Sequence, residues 1–225
     1  MGRFAAIVIL GATVACTSSP SDPVDGGPDG AADADDGGDA SDADPGDADS
    51  ASDCGYGDGP RGVHVSQVFH PVVLWTCDGE PASVPDICCV NDVTIVHLST
   101  LWCVVCETAT SMLQRDVIAP LAGEPVALVE LLLEEDHGEV ATTEGCRLWS
   151  ERFEPDVPTY IPPDGDISEE LAEIAAVGAP PVTFVLDSEG EIRWRSNTAI
   201  PDMLDEEMAQ LLEQARRIID ENERH

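Results

Sequence analysis

There is no lysine in this chain. All ten basic residues are arginines, set against 45 acidic residues, and the 225 residues carry a formal charge of −35. Such acidity argues against nucleic acid or an anionic membrane surface as a partner, since both are polyanions. The apolar run over residues 4–14 is too short to cross a bilayer as a helix. Only one Cys-x-x-Cys is present, at Cys103 and Cys106; a zinc ribbon needs a second, and the adjacent Cys88-Cys89 cannot serve as one. Nor do the N-terminal aspartates form an Asp-x-Asp-x-Asp-Gly loop with a closing glutamate, so a calcium-binding repeat is disfavoured.

What is present divides into three stretches. Residues 1–15 read as an export signal: Arg3, then the apolar run, then small residues. Ala15-Cys16 resembles a bacterial lipoprotein signal, which implies lipid attachment at Cys16 and a membrane anchor. Thr13 stands where such signals carry leucine, and ordinary secretory cleavage nearby is the alternative. Either route delivers the protein to a compartment where disulfides persist, periplasmic or at the cell surface. Residues 16–53 read as a linker, with twelve aspartates, no basic residue and Val24 as the one aliphatic side chain beyond alanine. That composition repels itself and cannot bury a core, so a disordered, extended tether is expected. Residues 54–225 read as one folded domain.

The domain is organised around Val93-Thr-Ile-Val-His-Leu-Ser-Thr-Leu-Trp-Cys-Val-Val-Cys-Glu107. Its first half reads as a buried strand. A short turn leads to Trp102, and Cys103 and Cys106 then open a helical pattern. Two intervening residues in a first helical turn bring both sulfurs within bonding distance. The unpaired N–H groups and the helix dipole favour the thiolate of Cys103, the reactive form. Cys106, further inside, can resolve a mixed disulfide.

Around these residues the chain resembles the thioredoxin superfamily, and within it the exported, membrane-tethered TlpA-like redoxins. Trp102-Cys103-Val104-Val105-Cys106 after a hydrophobic strand carries the likeness. Cys77-Asp78-Gly79-Glu80-Pro81-Ala82-Ser83-Val84-Pro85-Asp86-Ile87 upstream is similar to that branch's hairpin. Gly178-Ala179-Pro180-Pro181-Val182-Thr183-Phe184-Val185-Leu186-Asp187-Ser188-Glu189-Gly190 downstream resembles its strand with a cis-proline, placing that proline at Pro181. The likeness spans roughly residues 60 to 215, and three motifs in order are more specific than any one. Val-Val between the cysteines, where relatives often carry proline or glycine, leaves the redox potential open.

The resemblance implies an α/β fold with a central mixed sheet, helices on both faces and an N-terminal β-hairpin extension. It also implies a thiol-disulfide oxidoreductase acting on disulfide- or thiol-bearing exported proteins, with no cofactor and no metal. Cys103 becomes the nucleophile, Cys106 the resolving thiol, and Trp102 and Pro180 the substrate side. Pro180 offers a carbonyl but no N–H for pairing with a substrate backbone. His97, six residues before Cys103, stands where thioredoxins hold a buried carboxylate. It is expected either to accept the Cys106 proton or to rest as a neutral core histidine. Glu134 and Glu135 are expected in a loop, with a reach to the site as the lesser reading. Cys77 is expected to pair with Cys88, Cys54 with Cys89, and Cys146 to be a buried thiol. The competing readings are a thiol peroxidase, a copper(I)-carrying redoxin and a non-catalytic surface lipoprotein.

Overall fold

A computed structural model describes residues 55–153, 157–163, 167–196 and 201–224. The signal, the linker, Cys16 and Cys54 lie outside the described residues. The hairpin expected at Asp78-Gly79 is formed by β1 (Val73–Thr76) and β2 (Pro81–Ser83), and Gly79 takes φ +82° at its turn. Residues 63–72, which lead into β1, make only isolated bridges at Val68. Ser83 then caps α1 (Val84–Cys89), a helix the sequence reading lacked; its hydroxyl accepts from the Asp86 N–H at 3.1 Å, and Pro85 occupies the first turn.

The apolar run becomes β3 (Val93–Thr100), in which every residue is buried. Cys103 caps α2 (Val104–Met112), which continues as a π-helical stretch (Leu113–Ile118) and a 3-10 turn (Ala119–Leu121) that contains Pro120. The second parallel strand, β4 (Val126–Asp136), runs past the apolar stretch that ends at Leu133, because its tip pairs with β5 (Glu139–Val140). Then follow α3 (Thr143–Ser150), capped by Thr142, and β6 (Thr159–Ile161). After them come α4 (Glu169–Ala175), capped by Ser168, β7 (Val182–Asp187) and β8 (Ile192–Arg195). Last comes α5 (Leu204–Asn222), whose first turn holds Asp205, Glu206 and Glu207, the sign that a helix N-terminus favours.

The sheet order is β2-β1-β6-β4-β3-β7-β8, with β5 beside β4. β3 pairs parallel with β4 and antiparallel with β7, so the α/β architecture with a mixed sheet is as expected. Alternate side chains of the central strands serve two cores. Ile95, Leu128, Leu132 and Val185 pack with α2, α3 and α5. Val96, Leu98, Val129, Leu131 and Phe184 pack with α1, α4 and the chain before β1. At the β7–β8 turn Gly190 has φ +75°, and a Cβ there would meet the ring of Tyr56, whose hydroxyl donates to the Phe69 carbonyl at 2.8 Å.

The cysteine pairing departs from expectation. Cys77 is bonded to Cys146, not to Cys88. The reason is topological: β6 inserts between β1 and β4, so the end of β1 meets α3, and the sulfurs of Cys77 and Cys146 each lie 3.6 Å from the Thr159 carbonyl of β6. Cys88 points instead into the second core as a free, buried thiol. Cys89 is disulfide-bonded, while Cys54, expected as its partner, lies outside the described residues.

Candidate active site

β3 delivers the chain to Trp102, and α2 starts immediately after it. Cys103 is the N-cap, with its sulfur accepting from the Cys106 N–H at 3.1 Å, and the two cysteines form a disulfide. A thiolate left on Cys103 after reduction would face that same N–H and the positive end of α2. Cys106 is fully buried behind it. Across the site the Pro180–Pro181 peptide is cis, and the Pro180 carbonyl oxygen lies 3.8 Å from Cys103 Sγ.

The rim beside Cys103 is apolar and open. Val104 is 76% exposed and Trp102 41%. Trp102 stacks on His137, ring centroids 4.1 Å apart, and its indole N–H donates to Glu134 Oε2 at 3.2 Å. Glu134 and Glu135, expected in a loop, are thus strand residues. Glu134 braces Trp102, while Glu135 Oε2 accepts from the Thr142 hydroxyl at 2.6 Å, at the start of α3.

Beneath α2 lies a buried polar layer, of which the sequence reading found only His97. That ring is fully buried, with Nδ1 2.8 Å from the Thr183 hydroxyl and Nε2 without a partner. Burial pulls its pKa down to about 4, so at neutral pH it is uncharged. Opposite it in the parallel register stands Glu130 of β4, also fully buried. Glu130 Oε1 accepts from the Thr110 hydroxyl at 3.1 Å and from the Trp149 indole N–H at 3.2 Å. The Ser99 hydroxyl stands beside the same carboxyl and, with Thr110 and Trp149, favours its charged form. Burial pushes the carboxyl up to about 8, against the opposing pull of its hydrogen bonds.

These values rank the two groups as proton acceptors. An ordinary thiol titrates near ~8.5, and each pKa unit of mismatch costs ~1.4 kcal/mol. Of the two, the Glu130 carboxylate is the stronger base by several pKa units, so it is the better acceptor for a thiol proton. The sequence did carry a sign of Glu130, the single charged residue within Val-Ala-Leu-Val-Glu-Leu-Leu-Leu. A lone acid in a strand buried on both faces has to be hydrogen-bonded or neutral. Among the described residues, no group of three or more His, Cys, Asp and Glu could hold a metal ion, and no helix is long and apolar enough to cross a membrane.

No family model matches the sequence, and no curated protein matches it. Solved structures do resemble the fold. A proposed protein disulfide isomerase from Bacteroides thetaiotaomicron superposes with a TM-score of 0.55 at 18% identity, over 72% of this chain and 94% of its own. The thioredoxin domain of a thiol-disulfide oxidoreductase from Bacteroides vulgatus gives 0.52 at 14% identity, over 67% and 99%. A thiol:disulfide interchange protein from a Bacteroides species gives 0.51 at 16% identity, over 65% and 90%. The described part of this chain therefore has the thioredoxin-like fold of the thiol-disulfide oxidoreductases.

Proposed function

We propose that the protein is a thiol-disulfide oxidoreductase that works outside the cytoplasm on disulfide- or thiol-bearing exported proteins. The observation that carries this reading is Cys103: a helix N-cap beside an open apolar rim, bonded to a buried Cys106 in the adjoining turn. Cys103 attacks a substrate disulfide and holds the mixed disulfide; Cys106 attacks Cys103 and releases the substrate thiol. Trp102 and Val104 receive apolar parts of the substrate, and the Pro180 carbonyl accepts a hydrogen bond from its backbone. Pro181 sets that carbonyl beside the sulfur, and His97 belongs to the polar floor under Cys106.

Residues 1–15 are read as the export signal, Cys16 as the lipid anchor and residues 16–53 as the tether. The Cys77–Cys146 bond agrees with an oxidising compartment, where such bonds persist. Reduction of insulin by dithiothreitol, followed as turbidity, tests the reading: acceleration that depends on both Cys103 and Cys106 is expected. Absence of acceleration, with peroxide consumption or copper(I) retention in its place, would reassign the site to one of the competing chemistries.

A further inference from the structure

The polar layer has more members than disulfide exchange at the surface requires, and it lies under the helix that carries Cys106. Residues 128, 130 and 132 of β4 face the α2 side, as do 95, 97 and 99 of β3. Thr110 stands one turn after Cys106, so both present the same flank of α2 to this layer, and both are fully buried. The Thr110 hydroxyl already donates to Glu130 Oε1, and its lone pairs remain able to accept. The bonds from α2 and α3 both go to Glu130 Oε1, while the Ser99 hydroxyl of β3 stands beside the carboxyl. The groups against Glu130 are its register neighbours His97 of β3 and Thr159 of β6, Ser99 of β3, Thr110 of α2 and Trp149 of α3; Cys106 and the bonded Cys146 belong to the same core.

We propose that Glu130 holds the proton that Cys106 surrenders when it closes onto Cys103, with the Thr110 hydroxyl between them and His97 as a neutral neighbour. This rests on the exchange reading above and names the proton acceptor within it. The step balances without an outside oxidant. The Cys106 S–H proton passes to the Thr110 oxygen while the Thr110 hydroxyl proton passes to the Glu130 carboxylate. The Cys106 sulfur then attacks Cys103 Sγ, the Cys103–Cys106 bond forms, and the Cys103–substrate bond breaks with its electron pair leaving on the substrate thiolate. Glu130 is a positioning residue that acts through Thr110, not a group that touches substrate. Its raised pKa suits the task, because the carboxylate form appears just as the solution becomes basic enough to favour thiolates.

The test loads Cys103 of the reduced protein with thionitrobenzoate and follows release of the coloured thiolate as Cys106 closes the disulfide. No protein substrate is involved, so an enzyme silent towards insulin but normal here would sink the exchange reading and leave the proton assignment standing. In the wild type, release should accelerate as pH rises through the Glu130 titration. Glu130→Gln, which keeps an oxygen for Thr110 and Trp149, should slow release about a hundredfold and remove that rise. Glu130→Asp should recover part of it, and Thr110→Val should act like Glu130→Gln. Loading in a Cys106→Ser background should be indifferent to Glu130→Gln. In His97→Leu the rise should persist at a lower absolute rate. Wild-type release in Glu130→Gln overturns the proposal, as does loss of the rise in His97→Leu alone. Should Glu130→Gln fail to fold, infrared spectra of the oxidised wild type decide. A protonated carboxyl band that titrates near the proposed pH supports the assignment, and a Glu130 ionised throughout from weak acid upward refutes it.

Discussion

The two faces of the sheet bury titratable groups to opposite ends. On the face under α2, burial moves a carboxyl from the acid range to about 8, where it can exchange protons at neutral pH. On the face under α1, burial moves the Cys88 thiol up to about 12 and raises the Tyr56 hydroxyl as well, taking both out of service. Desolvation is the first cause in each case and has the same sign, since it penalises the charged form. The outcome differs because a carboxyl starts below neutrality and a thiol starts above it. Position relative to α2, rather than burial itself, separates the face that can do chemistry from the face that holds the domain together.

The strongest way to break this comparison is to remove the sulfur on the first face. Cys103→Ser should drop insulin reduction to the uncatalysed background, while Cys106→Ser should still attack and should accumulate a mixed disulfide visible by mass spectrometry. Either variant matching the wild type would mean that the chemistry lies elsewhere. The second face should answer in stability instead. Phe184 is fully buried there, 5.1 Å from the Phe69 ring in an edge-on contact, and Phe184→Ala should cost about 3–5 kcal/mol in urea unfolding. The folded fraction should still release thionitrobenzoate at the wild-type rate, and a slowed release would show that the faces are coupled.

A smaller effect sharpens the account of the polar layer. The folded pKa of Glu130 lies above its ordinary 4.5, so its contribution to stability is complete in acid and is lost as pH climbs towards about 8. Glu207, pushed up to about 6 by burial, acts in the same sense at lower pH. His97 does the opposite: its pKa falls from 6.5 to about 4, so stability is gained as pH rises through that interval and not beyond it. The trends oppose each other up to 6.5, above which the Glu130 carboxyl acts alone. Thermal or urea unfolding should therefore show stability falling between pH ~6.5 and ~8, by at most ~1.4 kcal/mol per unit, and Glu130→Gln should flatten that decline. A flat wild-type curve there would mean that Glu130 is not raised. The smallest effect belongs to Cys88. It should resist maleimide at pH 8 in the native protein and react only after unfolding, and Cys88→Ala should cost about 1 kcal/mol. Fast native labelling would show that the second face is open.

Much of this was legible in the sequence where local chemistry decides the outcome. The β3 run, the helix opening at Cys103 and the hairpin at Gly79 announce themselves through periodicity or backbone restriction, and the proline before β7 through its likeness to the thioredoxin-type strand. The α1 helix was legible too but went unread: Ser83-Val-Pro-Asp places a capping hydroxyl, a first-turn proline and an acid in helix-starting order. What could not be read depended on lateral neighbours. Cys77 finds Cys146 only because β6 slots in beside β1, and nothing in the spacing of the cysteines encodes that insertion. His97 could be singled out because it stands where thioredoxins carry a carboxylate, yet its environment is set by Thr183 and Glu130, residues 86 and 33 positions away that the sheet register brings alongside.

The Cys77–Cys146 bond also bears on how the molecule is made. It skips Cys88, Cys89, Cys103 and Cys106 in the chain and encloses the Cys103–Cys106 pair within its loop. During synthesis, six other cysteines are made before Cys146 exists, four of them after Cys77. Oxidation in order of appearance would give Cys77 the wrong partner, and the native bond would then form only by reshuffling. The protein is in that respect a client for the kind of exchange it is proposed to carry out on others.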